Sequence, residues 1–335
     1  VVFELENLMK PRPANPKAIS DAAQLLKQGR LVAFPTETVY GLGADAANPE
    51  AVAGIFAAKG RPADHPLIVH LADAALMPGW AIDIPDAAWA LADTFWPGPL
   101  AIVLRKQASV PLAVTGGQDT VALRVPNHPV ALALLQAFGG GLAAPSANRF
   151  CRISPTQAVH VAEELGDAVA MILDGGACQV GVESTIVDLS GPQPRLLRPG
   201  QISVAAIEAV LQQPLLMPEA EVSEVRAPGM MAVHYAPQTL ALLCSSEQLL
   251  AQAYELLLGG QRVGVLAYSQ RLPAHSRLHE IVMPESADAY AQALYASLRE
   301  LDGLLLNKIL VEQPPQTEAW RAVNDRLGKA TLAVG

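Results

Sequence analysis

The chain predicts an α/β protein in two domains, on three observations. Short apolar runs alternate with segments of helical periodicity along the whole length. Some runs, Leu100–Leu104 above all, are apolar without a break, as strands covered on both faces require. Between Gln213 and Gln238 the alternation lapses into Pro, Glu and Gly, which sets domains at residues 1–212 and 239–335 around a linker at 213–238. With 51% hydrophobic residues over 335 positions, each part has the material for a core.

Asn15-Pro16 opens a first helix, Asn at the cap and Pro at the first helical position, with Ile19, Ala22, Ala23 and Leu26 on one face and Gly29 at its end. Leu31–Phe34 is a strand. Tyr40, Gly41 and Gly43 then predict a tight turn that approaches a ligand. Asn48-Pro49 starts a second helix that delivers Lys59 and Arg61 at its C-terminal end. Strand Leu67–Leu71 follows, then a helix from Pro85-Asp86 to the rigid turn Phe95-Trp96-Pro97-Gly98-Pro99. Strands Leu100–Leu104 and Val121–Val125, helix His128–Phe138 and strand Leu142–Ala144 lead to a helix entered through Ser154-Pro155-Thr156. Strands Val169–Leu173 and Thr185–Leu189 and helix Ser203–Gln212 complete the first domain. Beyond the linker, strands Thr239–Leu243, Arg262–Tyr268, His279–Val282 and Leu304–Val311 alternate with helices at Glu247–Leu258, Ser286–Leu301 and Glu318–Leu327, the pattern of a small parallel sheet.

Charge and cysteine content narrow the function. A net charge of −9 disfavours a broad nucleic-acid-binding face. Cys151, Cys178 and Cys244 form no CxxC pair, and the seven histidines show no HxxxH or HExxH spacing, so a protein metal cage is not expected and a reducing cytoplasm is. The stretch Pro129–Pro145 carries no charge, yet it falls short of the ~18–20 residues of a membrane span and is broken by Gly139, Gly140 and Gly141. No membrane partner is expected.

The candidate chemistry lies in a few polar islands. Lys59-Gly60-Arg61-Pro62 pairs a point charge with a planar fork, which suits an anion as well as a solvated helix end. Pro145-Ser146-Ala147-Asn148 sits where a strand ends, a common ligand position and also an ordinary turn. Arg124, inside apolar VALRVP, needs a partner, either an internal carboxylate such as Asp119 or a substrate carboxylate. Ser184 precedes a strand and Arg198 lies just beyond one. Tyr235 stands beside His234 in the linker.

The strings PTETVYGLGADA, KGRP, HPLIVHL, FWPGPL, DTVALRVPNHP, PSAN, SPT, GVESTIVDL and RPGQIS occur in one order over Ala14–Ser203, and APGMMAVHYAP follows. Together they resemble the threonylcarbamoyl-AMP synthases, the YrdC-like family, in its long two-domain form. The resemblance implies a YrdC-like twisted mixed sheet with a concave active-site cavity, and a small C-terminal parallel α/β domain of Rossmann-like kind. It implies condensation of L-threonine, bicarbonate and ATP, with Mg2+ on the ATP phosphates, to threonylcarbamoyl-AMP and pyrophosphate. A downstream tRNA threonylcarbamoyl-transferase machinery would then modify tRNA to N6-threonylcarbamoyladenosine, the chain itself binding tRNA only weakly. The competing reading is a non-catalytic module for double-stranded RNA or tRNA.

Carried onto this sequence, the resemblance assigns Thr38, His70, Arg124 and Ser184 to threonine. It assigns Lys59, Arg61, His65, Thr120, Ala144, Ser146, Ser154, Arg198 and Tyr235 to ATP, Tyr235 folding back from the linker as a lid. Lys59, Arg61, Ser146 and Asn148 form its catalytic set. The chain departs from the family pattern at His65 (commonly Asn), at Phe150-Cys151 (commonly Ser-Gly) and at Ala101 (commonly Thr).

Overall fold

The computed structural model describes residues 10–217, 225–229, 231 and 234–333. Within the expected linker, residues 218–224, 230, 232 and 233 lie outside the described residues, as do 1–9 of the first domain and 334–335 of the second. The chain divides into two compact units, one of Val1–Phe150, Pro155–Gln179 and Glu183–Met230, the other of Cys151–Ser154, Val180–Val182 and Met231–Gly335.

In the first unit the strands are β1 (Arg12–Pro13), β2 (Val32–Phe34), β3 (Gly41–Asp45), β4 (Ile68–His70), β5 (Leu100–Arg105), β6 (Thr120–Arg124), β7 (Leu142–Ala143), β8 (Met171–Asp174), β9 (Thr185–Asp188) and β10 (Arg195–Arg198). They form one mixed sheet in the order β1-β8-β2-β3-β7-β4-β6-β5-β9-β10. The helices are α1 (Pro16–Lys27), α2 (Pro49–Lys59), α3 (Asp86–Phe95), the single turn α4 (Leu112–Thr115), α5 (Pro129–Phe138), α6 (Ala158–Leu165) and α7 (Val204–Leu211). Asn15 and Asn48 cap α1 and α2 as their Asn-Pro pairs predict, each side chain accepting from a backbone N–H of the first turn.

Strand alternation decides what lies on each face. On β2, Ala33 joins the core beneath α2, α3, α6 and α7, whereas Val32 and Phe34 join the core with α1 and α5. Farther along the sheet, Ile68, Ala101, Val103, Ala122, Ile186 and Leu197 form a small cluster with Ala227 and Val225, residues of the expected linker that group with this first unit. Among the described residues this cluster includes no helix residue.

The expected tight glycine turn at Gly41 and Gly43 is instead β3, paired antiparallel with β2. The turn is made by residues 35–40. Neither glycine has a positive φ; a Cβ on Gly43 would lie 2.8 Å from the Phe34 ring, so glycine serves close cross-strand packing.

The second unit carries β11 (Ala241–Cys244), β12 (Val263–Ala267), β13 (Leu278–Val282), β14 (Lys308–Glu312) and β15 (Leu332–Ala333), all parallel, in the order β13-β12-β14-β11-β15. Helices α8 (Ser246–Leu258), α9 (Ala287–Asp302) and α10 (Arg321–Ala330) alternate with them. Ser245 and Gln248 form a capping box at the start of α8. The strand expected at Leu304–Val311 begins only at Lys308; Asn307 accepts from Arg262 N–H at 2.8 Å and holds 304–307 as a loop. Among the described residues no helix is long and apolar enough to cross a membrane.

Candidate active site

Five of the first-unit candidates, His70, Thr120, Arg124, Ser184 and Arg198, stand on the sheet face that carries the cluster of Ile68, Ala122 and Ile186. His70 lies two residues from Ile68 on β4, and Thr120 and Arg124 lie two residues either side of Ala122 on β6, so each shares the face of a cluster member. Ser184 precedes Ile186 by two. Simple alternation would put Arg198 on the opposite face from Leu197. A register shift between Leu196 and Arg198 brings Arg198 opposite Ile186 and so returns it to this face.

At the carboxyl ends of β4 and β6, His70 and Arg124 are direct register partners. Arg124 is 3% exposed. Its Nε donates to Gly98 O at 3.2 Å, Nη1 donates to Thr38 Oγ1 at 3.0 Å, and Nη2 lies 2.7 Å from Glu37 Oε1. The internal partner is therefore Glu37, not Asp119. Asp119 lies at the far end of β6, whereas the turn after β2 brings Glu37 to the strand ends. Thr36 fixes that turn: its Oγ1 accepts from the N–H groups of Thr38 and Val39, donates to Val39 O at 2.6 Å, and lies 2.9 Å from Thr38 Oγ1. Glu37 stood within the polar run before Tyr40 as its signal, an acid between two threonines, but carried no assigned role. Burial first, and the Arg124 charge second, push His70 down to about 3, so its imidazole is neutral at physiological pH.

A second group gathers at the end of α2. Lys59, buried, donates from Nζ to Ser146 O at 2.6 Å and to Asn148 O. Phe150 N–H donates to Lys59 O at 2.8 Å. The KxR and SxN segments are thus tied to each other, and Lys59 is more than a helix-end cation. Gly60 ends the helix with φ 62°, a conformation that favours glycine. Arg61 donates to Pro66 O at 3.1 Å and lies over the Phe150 ring, 5.9 Å from its centroid. His65 meets the same ring edge-on at 5.4 Å. Two departures from the family pattern, His65 and Phe150, are therefore partners around Arg61. Burial and the Arg61 charge hold the His65 imidazole below its ordinary value.

In the third group, Arg198 donates from Nε to Ser184 O at 3.0 Å, from Nη2 to Ser184 Oγ at 3.1 Å, and from Nη1 to Pro228 O of the linker at 3.0 Å. Linker Arg226 donates to Gly116 O at 2.8 Å and lies 3.5 Å from Asp64. Gln118 and Arg226 exchange two further bonds just before Thr120. Thr120 starts β6 and Arg124 ends it, so those two stand a strand's length apart. Ala144 follows β7 and donates its N–H to Ile68 O at 3.0 Å.

Ser154 and Tyr235 belong to the second unit. There Tyr235, with φ 62°, is buried against Tyr295 at 5.9 Å, beneath the Arg326 guanidinium at 5.3 Å and beside His234 at 4.1 Å. Arg152 pairs with Asp302 at 3.1 Å, and Asp302 also accepts from the N–H groups of Gln238 and Thr239. Among the described residues no group of His, Cys, Asp and Glu has the arrangement of a metal site.

Comparison with known proteins places the whole chain in one family. Residues 24–200 match the Sua5/YciO/YrdC domain profile, described as "Telomere recombination", and residues 202–331 match the profile of the threonylcarbamoyl-AMP synthase C-terminal domain. The chain is 40% identical over 322 residues to the threonylcarbamoyl-AMP synthase of Pyrococcus abyssi, covering 92% of this chain and 93% of that one. It is 41% identical over 324 residues to the enzyme of Bacillus subtilis, covering 94% and 93%. The crystal structure of P. abyssi Sua5 complexed with L-threonine superposes with a TM-score of 0.89 at 38% identity, covering 96% of this chain and 97% of that one.

Proposed function

Because the chain belongs to the threonylcarbamoyl-AMP synthase family, a family of nucleotidyltransferases, we propose that its linker-bearing sheet face condenses L-threonine, bicarbonate and ATP. The observation that carries this reading is the convergence of Arg124, Thr38 and His70 at the carboxyl ends of β4 and β6. That is where ligands of α/β sheets bind, and Arg124 supplies the fork an amino-acid carboxylate fits. In this reading Thr38, His70, Arg124 and Ser184 take threonine, while Lys59, Arg61, His65, Thr120, Ala144, Ser146, Asn148 and Arg198 take ATP. The relative crystallised with L-threonine supports the amino-acid half.

The chemistry is a matter of placement and charge. The threonine amine and bicarbonate give a carbamate and water. A carbamate oxygen attacks the α-phosphorus as the bond to the β-phosphate oxygen breaks, releasing pyrophosphate. Positioning and charge neutralisation dominate such a transfer, and the cations Lys59, Arg61 and Arg198 are the residue types it needs. Magnesium fits as an ion carried on the ATP phosphates, where it supplies further charge neutralisation; the donors grouped around Lys59 are cations, hydroxyls and amides. The product serves tRNA modification through a separate transferase.

Incubation with ATP, bicarbonate, magnesium and labelled threonine is expected to yield a threonine-dependent adenylate and pyrophosphate. Absence of both products would refute the reading.

A further inference from the structure

Glu37 is a buried acid to which the reaction outlined above gives no role. It is 4% exposed, and neither carboxylate oxygen accepts a hydrogen bond from any described residue, although Oε1 stands 2.7 Å from Arg124 Nη2. A buried carboxylate has about four acceptor positions, and leaving them empty is costly. The neighbours do not fill them. Thr36 and Thr38 spend their hydroxyls on each other, on Val39 and on Arg124. His128, which senses the Glu37 charge, is held below its ordinary pKa mainly by burial and points its Nδ1 at Val130 N–H.

We propose that Glu37 is the acceptor for the amino group of the amino-acid substrate, and that the Glu37–Arg124 pair makes the pocket selective for a zwitterion. The inference rests on the reading of Arg124 as the carboxylate fork. Alone, the buried pair is neutral. A bare carboxylate arriving at Arg124 would leave one uncompensated negative charge among side chains that are only 3–4% exposed, and such a charge is strongly unfavourable. An amino acid brings its own cation. Its carboxylate meets Arg124 and its ammonium meets the Glu37 carboxylate, so the four charges alternate and the buried group stays neutral. Thr36 holds Glu37 in register for this, since the turn it pins places Glu37 and Thr38 consecutively on the Arg124 guanidinium.

The test compares L-threonine with (R)-3-hydroxybutanoate, which keeps the carboxylate and the hydroxyl and lacks the amine. Calorimetric binding to the full chain is expected to favour threonine by about 10- to 100-fold, the worth of one charge-assisted contact. In Glu37→Gln that preference is expected to fall to a few-fold, through weaker threonine binding and unchanged or tighter binding of the hydroxy acid. Wild-type protein that binds both ligands equally overturns the proposal, as does a Glu37→Gln protein that keeps the full preference, since Glu37 would then serve Arg124 alone. If Glu37→Gln does not fold, Glu37→Asp takes its place and is expected to reduce the preference in the same direction; an unchanged ratio again overturns the proposal. Wild-type protein that binds no threonine at all refutes the underlying functional reading instead.

Discussion

Each unit buries a glutamate at the end of its sheet strands, and the two are treated in opposite ways. In the second unit Glu312, with no exposed surface, accepts from the hydroxyls of Ser246 and Ser269 and from the N–H groups of Tyr268, Ser269 and Gln270. Burial alone would raise its pKa, but these bonds outweigh burial and hold the carboxyl below the usual range. In the first unit Glu37 faces a guanidinium and, among the described residues, accepts no hydrogen bond. A carboxylate the protein satisfies completely is part of the scaffold; one it leaves open has a ligand to meet. The contrast assigns structure to Glu312 and recognition to Glu37.

Glu312→Ala is the harshest way to probe the scaffold side. It strips a loop of several charge-assisted acceptors at once, and a stability loss of about 3 kcal/mol or more is expected, measured by denaturant unfolding. Because the native carboxyl is held low, the Glu312 contribution is complete above the ordinary carboxylate range and is lost as pH falls through its lowered native value. A protein that loses less than about 1 kcal/mol on Glu312→Ala would break the assignment.

Lys59→Ala probes the intermediate case, a buried cation that organises the PSAN segment and, in the proposed reading, meets the ATP phosphates. Turnover is expected to fall about 100- to 1000-fold, the usual loss on removing one preorganised charge-stabilising donor, read as pyrophosphate release at saturating substrates. Wild-type turnover would reduce Lys59 to a strap between α2 and the segment after β7.

The double variant Glu37→Met with Arg124→Met separates recognition from stability. Replacing a buried ion pair by apolar side chains is often neutral or stabilising. The variant is expected to unfold within about 1 kcal/mol of the parent, or later, while binding no threonine measurably. A large loss of stability would make the pair scaffold like Glu312.

Much of this was legible as local strings. Asn-Pro caps and the buried run Leu100–Leu104 declare themselves within a few residues, because caps and burial each select side chains locally. What escaped depends on distant pairing. Glu37 meets Arg124 only when the turn after β2 reaches the end of β6. Arg198 turns to the face of Ile186 only because β10 shifts register against β9. The Gly41–Asp45 strand was hidden because glycine marks close approach and tight turns alike, and only Phe34 across the ladder tells which. The grouping of Cys151–Ser154 and Val180–Val182 with the C-terminal residues has no signature in the order of the chain.

The smallest expected effect is on pH dependence, where the comparison extends from carboxylates to imidazoles. Burial first, then Arg124, keep the His70 imidazole neutral down to about pH 3, and burial also lowers His65 and His128. Threonine affinity is therefore expected to change less than about twofold between pH 6.5 and 8, with no imidazole step. Stability behaves differently. An unfolded histidine gains its proton near its ordinary value of about 6.5, whereas folded His70 does so only near 3, so the unfolded chain binds more protons in that window. The His70 contribution is thus full above the ordinary histidine range, declines as pH drops below about 6.5, and stops changing below about 3. A threonine-binding curve with a clear inflection near neutrality would place a charged imidazole in the amino-acid half and remove the zwitterion balance that Glu37 and Arg124 set between them.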